Sequence, residues 1–148
     1  MGERVTIHEV GPRDGLQNQP KVLTPAERLA IIGALRKAGL DHIQVAAFVS
    51  PKAVPAMAGA GEIMAGLADR DGHHSVLVPN MKGYELALAA GAREIEMVIY
   101  GTDGMAEANA RMTRDDAEAA ASAILDRAAG DDVDIIATIS VSFECPFE

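Results

Sequence analysis

Arg13 and Asp14 are the residue pair in this chain best suited to chemistry. They sit in the run Glu9-Val10-Gly11-Pro12-Arg13-Asp14-Gly15-Leu16-Gln17-Asn18, after a short apolar stretch and before an amphipathic helix. Arg13 offers a planar fork of N–H donors that suits an oxygen gaining negative charge. Asp14 offers a hard carboxylate oxygen of the kind that ligates Mg²⁺ or Mn²⁺. Gln17 can both donate to and accept from a substrate. In the simpler alternative, Arg13 pairs with Asp14 or Glu9, Asp14 caps a turn and Gln17 is a loop amide. A loop joining a parallel strand to a helix lies at the carboxyl end of its sheet, where α/β folds place their sites.

The elements that would position this pair repeat in one order: apolar strand, loop, Ala-rich helix, Gly stop. Strands are expected over residues 5–10, 42–48, 75–78, 94–100 and 133–141, rich in aliphatic residues as buried parallel strands are. Thr24-Pro25-Ala26-Glu27 reads as a capping box with Pro at the first helical position. Leu29, Ile32 and Leu35 follow as an apolar stripe with Ile31 beside it, and Gly39 ends the helix. Thr113 and Asp116 open a second such helix, continued by Ala117, Ala120, Ile124 and Ala128. The expected class is α/β with parallel strand–helix repeats. An open five-stranded sheet and the amino-terminal half of a TIM-type barrel both accept this order. The ending Cys145-Pro146-Phe147-Glu148, just past the fifth strand, favours the barrel. Residues 1–148 then form a partial (β/α)8 barrel, roughly its first four and a half βα units.

The chain has 148 residues, 49% hydrophobic and only 3% aromatic, so its core must be built from aliphatic side chains. A net charge of −9 argues against nucleic acid and anionic membranes as partners. Cys145 is the one cysteine, which excludes an internal disulfide and suits a reducing, cytoplasmic setting. No apolar run approaches the ~18 residues of a membrane span. The start, Met1-Gly2-Glu3-Arg4-Val5, lacks a signal-peptide pattern; Thr6 completes a loose myristoylation pattern that is better explained by the first strand. His73 and His74 are adjacent in sequence, so they should face apart and lie at the wrong end of a barrel for a catalytic metal. His8 is expected to line the interior.

Five segments, in order, resemble the hydroxymethylglutaryl-CoA lyase family: residues 9–18, Phe48-Val49-Ser50-Pro51-Lys52, Pro79-Asn80-Met81-Lys82-Gly83, Ala89-Ala90-Gly91-Ala92 and Cys145-Pro146-Phe147-Glu148. The resemblance covers the amino-terminal half of that family's barrel. It implies a metal-dependent carbon–carbon lyase that splits 3-hydroxy-3-methylglutaryl-CoA into acetyl-CoA and acetoacetate, as in leucine degradation. Asp14 would ligate Mg²⁺ or Mn²⁺, with the remaining ligands, a His-x-His pair and an Asn, on later strands. Arg13 would hold the enolate oxygen. Gln17, Lys52, Asn80 and Lys82 would contact the acyl-CoA substrate, the lysines as point charges toward phosphates. Gln44 stands where the family usually has Glu, and Val45, Ala46 and Ala47 replace hydroxyl-bearing neighbours, so the substrate could differ. Asn109 also matches a family residue, whereas 101–105 departs from the pattern. Cys145 matches an early Cys-Pro element rather than the family's late reactive cysteine, so it is expected to line a loop. The 148 residues alone are expected to be inactive. Two alternatives stand beside this: a related aldol-type lyase or Claisen-condensing enzyme on another acyl-CoA, and a non-catalytic half-barrel that associates. A homo-oligomer is expected in either case.

Overall fold

The computed structural model describes residues 5–67 and 71–148. Five parallel strands lie in sequential order: β1 (His8–Glu9), β2 (His42–Ala47), β3 (His73–Leu77), β4 (Glu94–Tyr100) and β5 (Asp134–Ser140). Sequential order joined by right-handed crossovers puts every helix on one face of the sheet. The helices are α1 (Pro25–Lys37), α2 (Ala60–Ala65), α3 (Met81–Ala89), α4 (Asp103–Ala110) and α5 (Arg114–Ala128). The result is a curled half-barrel, the second of the two arrangements that the strand–helix order accepts.

The hydrophobic core lies between sheet and helices. Ile43, Val76, Ile95 and Met97 face Ile32, Ile63, Tyr84, Ala87 and Ile124, all buried. Small alanines carry much of this packing, which lets the helices approach the sheet closely. Gly83 shows how closely: a Cβ there would stand 2.7 Å from the Phe48 carbonyl oxygen, so the motif 79–83 needs glycine at that point. Tyr84 anchors α3 by donating its hydroxyl to Asp131 at 2.7 Å. Burial, with the Asp131 carboxylate beside it, pushes the Tyr84 phenol up to about 12.

The α1 capping box forms as expected. The Thr24 hydroxyl accepts from the Glu27 amide, and the Glu27 carboxylate accepts from the Thr24 amide. Hydrogen bonds from the Thr24 backbone, Lys21 and the Thr24 side chain hold the Glu27 carboxyl down at about 2.

Strand boundaries differ from expectation for physical reasons. Strand β1 is paired only over His8–Glu9. Its register puts His8 opposite His42, the first residue of β2, so β2 offers residues 5–7 no strand to pair with. At its other end the Val10 carbonyl accepts from the amides of Arg13, Asp14 and Gly15, which winds Gly11–Gly15 into one wide helical turn instead of an open loop. Strand β3 begins two residues early because His73 pairs with His42. Strand β5 stops at Ser140 before Val141 takes a left-handed φ of 53°. Helix α4 was not expected; Thr102 caps it by accepting from the Met105 amide. Residues 1–4, which carry most of the leader and myristoylation patterns, lie outside the described residues.

Candidate active site

The inner face of the sheet, opposite the helices, is polar. Residues in register share a face in a parallel sheet. Gln44 is paired with Ser75, and Ser75 with Glu94, two residues before Glu96. A register shift between Gln44 and Ala46 bends β2 toward its carboxyl end. Just beyond that end sits the wide turn Gly11–Gly15, which packs against β2.

A chain of hydrogen bonds results. Arg13 Nε donates to Gln44 Oε1, Gln44 Nε2 donates to Glu96 Oε2, and Ser75 Oγ donates to Glu96 Oε1 at 2.5 Å. Gln44 and Ser75 are almost fully buried, at 2% and 3% exposure. Arg13 also holds Asp14, Nη1 to Oδ1 at 2.8 Å. The Arg13 side chain is 14% exposed and that of Asp14 60%, so the guanidinium is set into the wall while the carboxylate faces out over the rim. Glu9 does not pair with Arg13; its carboxylate accepts from the Gly11 amide at 2.6 Å and braces the turn.

Arg28 supports the same region from below. It is fully buried in α1 and donates to the carbonyls of Val45 (3.1 Å), Ala58 (3.3 Å), Ala56 (3.5 Å) and Pro12 (3.5 Å). One guanidinium thus ties the β1 turn, the bulged part of β2 and the loop after β2. Desolvation lowers the Arg28 pKa from its ordinary value.

Other expected site residues are placed less centrally. Asn80 caps α3, its side-chain oxygen accepting from the Gly83 amide at 3.0 Å, so a structural task accounts for it. Lys52 and Lys82 are exposed in the turn after β2 and at the start of α3. Gln17 is half-buried just past the turn that carries Arg13. Cys145 lines a loop as expected: its sulfur accepts from the Thr102 hydroxyl at 3.0 Å and from the Phe147 amide. Asn109 donates to the Tyr100 hydroxyl at 2.8 Å. Glu96 and Arg28 were missed in the sequence. Glu96 reads as a charge in an apolar strand, and only that oddity marks it.

Asp14 fits a hard divalent cation as one oxygen donor. Among the described residues it belongs to no group of three or more His, Cys, Asp or Glu that could close a metal site by itself.

Fold and site together define the class: a parallel βα-barrel wall with its polar machinery at the carboxyl rim and inner face. The HMGL-like family model matches residues 4–148, and the chain belongs to that family. It is 39% identical to the (R)-citramalyl-CoA lyase of Chloroflexus aurantiacus, over 99% of this chain and 50% of that protein. The crystal structure of hydroxymethylglutaryl-CoA lyase from Pseudomonas aeruginosa superposes with a TM-score of 0.91 and 36% identity, over 98% of this chain and 49% of that one. An HMG-CoA lyase from Acinetobacter baumannii, solved in complex with coenzyme A and 3-methylmalate, gives 0.90 and 32%, over 97% and 47%. The chain therefore spans about half the length of the relatives it matches.

Proposed function

We propose that this sequence forms the Arg13–Asp14 half of a metal-dependent carbon–carbon lyase acting on a 3-hydroxy-3-methylacyl-CoA ester, 3-hydroxy-3-methylglutaryl-CoA first among them. The observation that supports it most is the Arg13–Asp14 pair, joined at 2.8 Å on the carboxyl rim of a half-barrel of this family. A divalent cation such as Mg²⁺ or Mn²⁺, held by Asp14 and by donors from outside this chain, would supply Lewis-acid polarisation of the substrate's hydroxyl and carboxylate oxygens.

The chain's own residues would then do the following. Arg13 spends Nε on Gln44 and Nη1 on Asp14, leaving Nη2 to donate to the thioester oxygen. When the bond between the carbinol carbon and the thioester's α-carbon breaks, its electron pair moves into the thioester enolate. The hydroxyl proton leaves to a base, and the carbinol carbon becomes a ketone. Negative charge collects on the oxygen facing Arg13, which is already oriented and needs little reorganisation. Glu96 holds Gln44 through Oε2 and Ser75 through Oε1, so its part is to position Gln44. The base, and the acid that protonates the enolate carbon, would come from outside residues 1–148. Lys52 and Lys82 would meet coenzyme A phosphates at the rim. A reducing, cytoplasmic setting and a role in leucine breakdown accompany this assignment; among the described residues no helix is long and apolar enough to cross a membrane.

A second substrate is favoured by one feature. By the family resemblance Gln44 stands where Glu is usual, and a relative at 39% identity is named for (R)-citramalyl-CoA. That ester also carries a tertiary hydroxyl β to its thioester, so the same bond cleavage applies.

The test is to co-express the chain with the carboxyl-terminal half of the Pseudomonas aeruginosa lyase and assay both esters with Mg²⁺. Turnover by the joined halves, with none by either half alone, is expected. A folded, joined barrel that cleaves neither ester overturns the proposal, and robust cleavage by the 148 residues alone overturns the need for outside groups.

A further inference from the structure

The opposite end of the sheet carries a second constellation, separate from Arg13 and Asp14. Each of the five strands begins with a residue of metal-ligating type: His8, His42, His73, Glu94 and Asp134. The register lines them up. His8 is opposite His42, His42 opposite His73, and Glu94 opposite Asp134. Parallel strands in register stack like side chains, and here the stack is made of imidazoles. The His42 and His73 rings lie 4.0 Å apart and 7° from parallel; His8 and His42 are 4.7 Å apart at 33°. His73 Nδ1 contacts Glu94 Oε1. Ligand atoms of His42, His73 and Glu94 all fall within 4.8 Å of one another.

We propose that His42, His73 and Glu94 form a binding site for a zinc-type divalent cation at the amino-terminal foot of the half-barrel. Two imidazole nitrogens and one carboxylate oxygen match Zn²⁺, and fit Mg²⁺ poorly. A shared cation would take one nitrogen lone pair from each ring and one oxygen lone pair from the Glu94 carboxylate. Tetrahedral zinc asks for ligand atoms about 3.3 Å apart. Side-chain rotation of His73, whose side chain is 56% exposed, supplies the adjustment. Water or a neighbouring side chain completes the shell. His74, next in sequence, points to the opposite face and takes no part, as strand alternation requires. Cation binding would fasten the starts of β2, β3 and β4 to one another, at the end of the sheet remote from the catalytic rim.

Calorimetry with Zn²⁺ on the full 148-residue chain tests this, with Co²⁺ absorption as a second readout of coordination. One equivalent is expected to bind, with a tetrahedral Co²⁺ spectrum and a rise in Tm. His73→Gln, at an exposed position, should weaken Zn²⁺ binding at least tenfold and abolish the Tm rise while the far-ultraviolet spectrum stays native. His42→Gln should do the same. Asp14→Asn should leave the affinity within about twofold, and excess Mg²⁺ should not compete, which separates this site from any cation at the rim. Absence of saturable binding at one equivalent, or binding that survives both histidine substitutions, overturns the proposal.

Discussion

The carboxylate of Glu96 holds the side-chain amide of Gln44, although 52 residues separate them. This contact settles which way the amide points. A carboxylate with its proton removed only accepts, so it takes the Gln44 NH₂ group and leaves the Gln44 oxygen facing Arg13 Nε. A negative charge thus stands behind Gln44 from two strands away on the inner wall, and Ser75, on the strand between, holds it there. Gln44 is a neutral relay between a fixed anion and a fixed cation.

Glu96→Gln should therefore disturb Arg13 without touching substrate. In the joined barrel, kcat is expected to fall about 10- to 100-fold, the range for outer-shell orienting groups, with KM little changed. The double variant Gln44→Glu/Glu96→Gln re-creates an acceptor facing Arg13 and a donor behind it, and should recover most of the loss. Steady-state kinetics of the two variants check this; a merely structural role for Glu96 would give no rescue.

Arg13→Lys keeps the charge and removes the fork. A lysine gathers its three donors on one nitrogen and cannot span Gln44, Asp14 and a substrate oxygen as the separate nitrogens of Arg13 do. Turnover in the joined barrel should drop about 10²- to 10³-fold, the usual cost of losing an oxyanion donor. Unfolding midpoints of the chain itself should barely move, and comparing kcat with urea denaturation distinguishes the two effects.

Arg28→Met tests the buried guanidinium. Methionine fills similar space but leaves the carbonyls of Pro12, Val45, Ala56 and Ala58 without this donor. The expected loss is about 3 kcal/mol, since several buried acceptors are orphaned at once, partly offset by relief of a desolvated charge. Urea unfolding with an unchanged m-value would show it. Because the same carbonyls anchor the Arg13 turn, activity of the joined barrel should fall as well.

The capping box gives a pH prediction. The Glu27 carboxyl is held at about 2 against an ordinary 4.5, chiefly by the Thr24 backbone amide. A carboxyl lowered on folding contributes stability that is fully present above about 4.5 and is lost as pH falls toward 2. The wild-type advantage over Glu27→Gln should be complete at neutral pH and shrink through that window. Urea titrations at several pH values measure the difference directly.

Much of this molecule is written in local patterns. The strand–helix alternation, the capping box at Thr24–Glu27, the glycine in 79–83 and the Arg13–Asp14 rim are all short-range features. They follow from backbone propensity, hydrogen-bond capping and steric limits within a few residues. Helix α4 escaped because eight residues with a single buried side chain, Ala106, leave a faint apolar period.

Parallel strands, the position of Arg13 and Asp14 at their carboxyl ends, and the opposite facing of His73 and His74 can all be read from the order of the residues. Alternation along a strand and the direction of each crossover suffice for that. That Gln44 meets Glu96, that Arg28 is fully buried, and that His42, His73 and Glu94 converge emerges from the folded chain alone. Those relations depend on the register between strands and on the bulge in β2. Register is set by how distant helices pack onto the sheet, and no residue carries it alone.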